Sequence, residues 1–331
     1  MSGYRVMTTR YRVAVVGAAL AFSLAAPPAQ AAYPERTVHW IVGYPPGSGT
    51  DIVARLLGQR LAERLGQPVV IDNKPGAGAA IGVEAVANAA RDGYTIGMAD
   101  TGPLAINPAL YKHLGYDPVA SFAPISLLAN LPFVLVVHPS LPARSLAELI
   151  ALAKAQPGRI NYASVGNGSS VHLATELFKT LAGIDLVHIA YKGSAPALQD
   201  LLAGQVSVMF VNLLSSRALI EAGRLRALAV SPATRLAALP DLPTVAEAGV
   251  PGYAFMSWFG LVAPAGTPRE IVALLNDEIV ATLAEPEIRK RLIEQGGVEP
   301  VGSSADDFAA TIRTDLVYYA DLVKRTGAHV E

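Results

Sequence analysis

Val38-His-Trp-Ile-Val-Gly-Tyr44, then Pro45-Pro-Gly-Ser-Gly-Thr-Asp51, then Ile52-Val-Ala-Arg-Leu-Leu57, is the stretch whose reading decides the fold of this chain. The first segment is a short apolar, β-branched run, the composition of a strand buried on both faces. The second crowds prolines and glycines together, so neither strand nor helix continues through it. The third opens a helix over 51–65 that sets Ile52, Val53, Leu56, Leu57, Leu61 and Leu65 on one broad apolar face. Strand, glycine turn and helix in that order place the free N–H groups of a helix start at the carboxyl end of a strand. Aligned peptide dipoles favour an anion there, and glycine lets it approach the backbone closely.

The unit recurs about 120 residues later. Ile160-Asn-Tyr162 leads into Ala163-Ser-Val-Gly-Asn-Gly-Ser-Ser170 and then a helical pattern over 171–181. Two such ends facing each other would form a pincer for a small anion. Elsewhere, strand candidates at 69–73, 95–99, 133–138, 186–191, 206–211, 226–230 and 255–263 alternate with helical patterns. One of these, over 145–156, opens on a capping-box sequence, Ser145-Leu-Ala-Glu148, and stops before Pro157-Gly158. The end of the chain reads as helix over 268–283, 287–295 and 305–325. Such alternation predicts an α/β protein with mainly parallel sheets flanked by helices. A chain that starts in one lobe, fills a second and returns divides into 32–130, 131–252 and 253–331, with crossovers near 128–132 and 251–253.

Arg5, Arg10 and Arg12 precede the apolar run Val13 to Leu24, and Ala29-Gln-Ala31 follows as a small-x-small site. That order predicts a secretory signal peptide over 1–31 and export to the periplasm. The whole chain carries 26 basic and 27 acidic side chains, and loss of the three arginines leaves the remainder mildly acidic. It has no basic stripe to bind nucleic acid or anionic lipid. With no cysteine there is no disulfide framework, thiolate metal site or thiol nucleophile. The six histidines show no paired ligand spacing, so no metal is expected. No cofactor is expected either, since the glycine turns match neither a Walker nor a GxGxxG pattern.

Each candidate has a structural reading beside the functional one. Asp51 caps its own helix and pairs with Arg55, or it braces a turn whose N–H groups hold a carboxylate. Asn73-Lys-Pro-Gly-Ala-Gly78 reads as a tight structural turn. Ser169 or Ser170 beside His172 suggests a serine hydrolase, but the residues lie too close on one helix for base geometry and do not form a G-x-S-x-G elbow. A helix cap and a locally bonded His172 are the better reading. Tyr191 and the amides beyond it end a strand that could face a cleft, and Trp258 and Phe259 read as core.

Taken together and in order, these stretches resemble the Bug-type solute receptors of tripartite tricarboxylate transporters. The matching segments include Pro46-Gly-Ser-Gly-Thr-Asp-Ile-Val-Ala-Arg55, Asn73-Lys-Pro-Gly-Ala-Gly78, Asn107-Pro-Ala-Leu-Tyr111, Ala163-Ser-Val-Gly-Asn-Gly-Ser169 and Trp258-Phe-Gly-Leu-Val-Ala-Pro-Ala-Gly-Thr-Pro268. The resemblance implies a two-lobed, non-enzymatic, monomeric receptor of the type II periplasmic-binding-protein kind, which closes on a small carboxylate with ordered water and serves integral membrane transporter subunits. Carried over residue by residue, it implies a ligand site of Tyr44, Gly47, Ser48, Gly49 and Asp51 in one lobe. Ser164, Gly166, Gly168, Ser169 and Ser170 face them from the other, with Thr101, Tyr191 and Asn212 lining the cleft. Ser48 and Ser194 stand where the family often has glycine, and Asn212 where an acid is common, which disfavours a ligand with an amino group. A secreted Ser/His-type enzyme and a solute-sensing module for a membrane kinase are the alternatives.

Overall fold

A computed structural model of the chain describes residues 33–329; the signal-peptide reading of 1–31 lies outside them. Eleven strands and ten α-helices build two sheets among the described residues. The strands are β1 Val38–Val42, β2 Val69–Asn73, β3 Thr95–Asp100, β4 Phe122–Leu131, β5 Val134–Val137, β6 Asn161–Ser164, β7 Val187–Ala190, β8 Val208–Val211, β9 Arg226–Val230, β10 Ser257–Pro264 and β11 Glu299–Pro300. The helices are α1 Gly49–Leu65, α2 Ala80–Ala87, α3 Asn107–Leu110, α4 Leu146–Ala155, α5 Ser170–Ala182, α6 Ser194–Leu202, α7 Leu213–Glu221, α8 Arg269–Ala284, α9 Pro286–Lys290 and α10 Ala305–Thr326.

One sheet has the order β11-β4-β10-β3-β1-β2 and the other β7-β6-β8-β5-β9. The first draws on both ends of the described chain and the second on its middle, as a chain that leaves one lobe and returns requires. The expected α/β, two-lobed architecture is there, but the sheets are mixed rather than mainly parallel. β1 pairs in parallel with β2 and β3, and β6 with β7 and β8, as strand–helix–strand crossovers demand. The pairs of β10 with β3 and β4, and of β5 with β8 and β9, are antiparallel.

The long strand β4 and the two-residue β11 are strands that sequence reading missed. β4 is the one that matters for the lobes. It begins Phe-Ala-Pro, and a proline inside a run argues against a central strand. Here the sheet accommodates Pro124 opposite Val262, where the β4–β10 register slips, as at a bulge. Only Pro132 and Phe133 then separate β4 from β5 in the other sheet. The return path joins this crossing through Ser231, whose N–H donates to the Phe133 carbonyl (2.8 Å) and whose carbonyl accepts from Phe255 N–H (2.9 Å). The rings of Phe133 and Phe255 stack with centroids 6.1 Å apart. The two passes thus form one hydrogen-bonded hinge.

The core is aliphatic around six buried aromatic anchors, Trp40, Tyr162, Phe178, Phe210, Phe259 and Phe308, all below 1 % exposure. Trp258 and Phe259 are core, as read from sequence. The capping box at Ser145 forms by half. Its Oγ accepts from Glu148 N–H (3.2 Å), while the Glu148 carboxylate reaches Arg144 N–H rather than that of Ser145. No helix among the described residues is long and apolar enough to cross a membrane.

Candidate functional site

The two glycine turns share one backbone. Gly47 and Gly168 both have φ 77°, in the left-handed region, and each is followed by an extended serine: Ser48 at φ −68°, ψ 158°, and Ser169 at φ −69°, ψ 156°. Each serine is the N-cap of its helix, its Oγ accepting from the third helical N–H, Asp51 in α1 (3.2 Å) and His172 in α5 (3.3 Å). That leaves two amides at each helix start, Gly49 and Thr50, and Ser170 and Val171. They make no hydrogen bond among the described residues.

The braces behind the two turns differ. In the first, the Asp51 carboxylate accepts from Gly47 N–H (2.9 Å), Arg55 Nε (3.0 Å) and Asn73 Nδ2 (2.9 Å). Burial pushes this carboxyl up, but the bonds from Arg55, Gly47 and Asn73 outweigh it and hold its pKa below the ordinary value. Asp51 is therefore both ion-pair partner and turn brace, but it does not cap its helix as one reading expected: Ser48, one residue before the helix, holds that place and accepts from Asp51 N–H.

In the second turn the braces are neutral. Gly166 N–H and Gly168 N–H donate to Ser164 Oγ (3.2 Å) and His172 Nδ1 (3.3 Å). Ser164 Oγ also meets His188 Nε2 at 2.6 Å, and the carbonyl of Gly166 accepts from Ser169 Oγ at 2.7 Å. The rings of Tyr162, His188 and His172 stack in sequence, with centroids 4.8 and 4.3 Å apart. Burial lowers both imidazole pKa values to about 4, so both rings are neutral near pH 7. His172 thus bonds locally, as the sequence suggested. His172 and His188 of this stack line a further cavity of about 410 Å³ with Glu176, Lys179 and His329.

Each turn meets a neighbouring segment of the opposite lobe across the interlobe gap. A Cβ on Gly49 would lie 2.6 Å from the Asn212 side chain, one on Gly193 2.4 Å from Pro45, and one on Gly78 2.6 Å from the Asn167 carbonyl. Tyr111 OH of the first lobe donates to that same carbonyl (3.1 Å). Between these contacts lies a cavity of about 30 Å³, with Tyr44, Thr50 and Asp100 on one side, Ser170, Ser194 and Asn212 on the other, and Ser257 and Phe133 at the hinge. A wider cleft of about 220 Å³ shares Tyr44 and Val165 with it and is lined by Tyr111, Gly166 and Tyr191.

The structure distributes the sequence candidates unevenly. Tyr44, Ser170 and Asn212 line the inner cavity, and Gly166 and Tyr191 the outer cleft. Gly49 lies directly beneath Asn212. The amides of Gly47, Gly166 and Gly168, expected to face a ligand, are taken by Asp51, Ser164 and His172. Those glycines are needed for their conformations. Ser48 and Ser169 are caps, and Ser164 stands behind the turn. Thr101 is a hinge contact, its Oγ1 accepting from Trp258 N–H (3.0 Å) and bonding Ser257 Oγ (3.1 Å). Tyr191 gives its hydroxyl to Asp200 (2.7 Å), so it offers the cleft its ring and backbone.

Sequence reading missed Thr50, Asp100 and Ser257. Thr50 is legible afterwards, because a serine at the N-cap leaves the next two amides open. Asp100-Thr-Gly-Pro103 follows the third strand on the edge where ligands sit, but nothing local shows that the Asp100 side chain joins the cavity, and Ser257 carries no local signal. Asp100 ends β3 with its carboxylate in the cavity, accepting from Gly102 N–H (2.8 Å) beside the Tyr44 hydroxyl. Burial raises its pKa to about 6, against the lowering effect of those two donors. Among the described residues no group of three or more His, Asp or Glu side chains is arranged to hold a metal ion.

The profile of the tripartite tricarboxylate transporter family receptor matches residues 53–328. Protein BugT of Bordetella pertussis is 38% identical over 321 residues, 96% of this chain and 98% of its own. Among solved structures, R. palustris Rpa4515 with adipate is 41% identical with TM-score 0.88, covering 90% of this chain and all of its own. MatC of Rhodopseudomonas palustris, with bound malate, is 33% identical with TM-score 0.83 over 88% of this chain and all of its own. Two lobes, paired helix starts and full-length similarity converge: this chain belongs to the tripartite tricarboxylate transporter receptor family.

Proposed function

We propose that this protein is a periplasmic receptor that captures a small organic carboxylate between its lobes and delivers it to a tripartite tricarboxylate-type membrane transporter. The observation that carries this reading is the pair of helix starts opening on one cavity. Thr50 and Ser170 line it from opposite lobes, and the amides of Gly49, Thr50, Ser170 and Val171 are the donors left for a ligand. A charge-assisted hydrogen bond contributes roughly 1.5–3 kcal/mol, and a helix end adds about 0.3–1 kcal/mol. Four such donors, less desolvation and ordering, suffice for the about −8 kcal/mol of micromolar binding without an arginine clamp. The relatives with adipate and malate support a carboxylate as the ligand class.

Closure follows from the same geometry. A ligand touching both helix starts contacts both only when the lobes are shut, so it shifts the population toward that state. The inner cavity is smaller than a four- to six-carbon acid, so entry requires the lobes to part about the hinge at Phe133, Ser231 and Phe255. A hydrolase reading gains no support. Ser164, the serine of this turn that meets an imidazole, is fully buried.

The test is a thermal-shift screen with mono- and dicarboxylates against their neutral amides, using residues 32–331. A true ligand at a hundred times its Kd adds about 2.7 kcal/mol of stability. If acids and amides prove equally inert, the carboxylate assignment is wrong. Transport and sensing separate in the cell: deletion of a transport receptor abolishes uptake, and deletion of a sensor leaves it intact.

A further inference from the structure

Asp100 is an acid in a place built for an acid. Its residue is 6 % exposed, and the carboxylate faces the same inner cavity as the starts of α1 and α5. Every group around it is neutral or acidic. Tyr44 at the end of β1 and Tyr116 after α3 are the titratable side chains facing it, and burial holds both phenols protonated. Thr50 of α1, Ser170 of α5, Ser194 of α6, Asn212 before α7 and Ser257 of β10 supply hydroxyls and an amide. The remaining walls, Leu131, Phe133, Val165 and Val171, are apolar, and among the described residues no Lys, Arg or His side chain lines the cavity. A second carboxylate entering here meets a negative charge with no cation to offset it. Like charges at this range in a dry site are not both kept; one takes a proton.

Resting on the carboxylate reading above, we propose that ligand capture is coupled to uptake of one proton by Asp100, whose neutral carboxyl then donates a hydrogen bond to the ligand. The proton comes from bulk water, and the bond that forms is O–H on the Asp100 oxygen not held by Gly102; the Tyr44 hydroxyl, a donor to the ionised carboxylate, releases its bond to whichever oxygen takes the proton. The bound pair carries one negative charge in place of two, which the two helix starts then stabilise. Asp100 is in this sense the selectivity element of the site: it admits an anion only together with a proton.

The burial that holds Asp100 near pH 6 in the free protein sets where the coupling shows. Above that value, affinity must fall with the fraction of protonated Asp100. His172 and His188, with values near 4, do not titrate in this range. Between pH 6.5 and 8.0, where a dicarboxylate probe is itself fully ionised, Kd should rise about 25-fold.

The experiment is titration calorimetry of adipate and of malate at pH 6.5 and 8.0, each in two buffers of different ionisation enthalpy. The expected result is uptake of nearly one proton at pH 8.0 with the stated loss of affinity. Asp100→Asn, which keeps the shape and the contact with Gly102, should bind the same acids without proton uptake and with equal Kd at both pH values. Binding by the unaltered protein with unchanged Kd and no uptake overturns the proton coupling and leaves the carboxylate reading standing. Retention of the pH dependence in Asp100→Asn overturns the assignment to this residue. Absence of binding by either acid at pH 6.5, joined to an inert carboxylate screen, removes the carboxylate reading and this proposal with it.

Discussion

The turns at Gly47 and Gly168 are copies in backbone and opposites in chemistry. Both present a left-handed glycine, a serine cap and two open amides, with dihedral angles that agree within a few degrees. One is held by a charged network of Asp51, Arg55 and Asn73, the other by neutral imidazoles and hydroxyls. The difference teaches that geometry at a helix start is what this site requires, and that more than one set of side chains supplies it. It also separates the lobes by environment. Arg55 reaches solvent from the first turn, whereas the second turn leans on a largely buried ring stack.

The largest expected break in the symmetry is steric. A Cβ on Gly168 would sit 2.2 Å from Asn107 Oδ1, while one on Gly47 meets nothing within 4 Å. Gly168→Ala should therefore cost about 4 kcal/mol, and Gly47→Ala only the about 1–2 kcal/mol of a left-handed alanine. Urea denaturation of both variants measures the gap, and equal losses would mean the turns are not held as described.

Acid should loosen the second turn before the first. His172 and His188 titrate near 4 in the folded protein and near 6.5 when unfolded, so the unfolded state binds more protons between those values. Their contribution to stability is full above about 6.5 and is lost as pH falls toward 4. The buried His172 alone accounts for about 3 kcal/mol, and the partly exposed His188 ring adds a smaller, solvent-screened amount. Asp51, with its value depressed, keeps its contribution through that window and loses it only below the ordinary carboxylate range. Asp100, raised to about 6, works in the opposite sense. The measurement is thus the difference in urea stability between the unaltered protein and His172→Asn/His188→Gln from pH 7 to pH 4. A difference that does not change with pH would refute neutral-imidazole bracing.

A smaller effect sharpens the charged side. Asp51→Ala removes the acceptor for Gly47 N–H and frees Arg55, which is half exposed and regains water. The expected loss is about 2 kcal/mol at pH 7 and less at high salt, since part of it is a screened ion pair. Smallest are the caps. Ser48→Ala should cost about 1 kcal/mol for the lost cap, and Ser169→Ala somewhat more, because its Oγ also donates to the Gly166 carbonyl. Denaturation midpoints should fall in that order.

Much of this was legible because it is local. Each glycine turn lies within a dozen residues of the strand before it and the helix after it, so proline, glycine and serine spacing announced both helix starts. Apolar periodicity then identified the α/β class. What failed was non-local. β4 hid behind Pro124, tolerated only because β10 slips its register opposite it. The amides of Gly47, Gly166 and Gly168 looked free because their acceptors include side chains such as Asp51 and His172, whose direction spacing does not give. Asn212 was read as removing the acid that would partner an amino group, whereas Asp100 brings a carboxylate from the other lobe.

The sequence alone therefore determined that strands end in glycine turns capped by serine, and that these turns belong to a receptor family. These properties depend on backbone dihedral preferences and apolar periodicity, which act over a few residues. The tertiary structure alone decided which amides remain open, which side chains hold the turns from behind, and that a carboxylate lies between the two helix starts. Those depend on Asp100, Asn212 and Ser257, brought together from distant parts of the chain, where burial and the absence of a neighbouring cation set the chemistry.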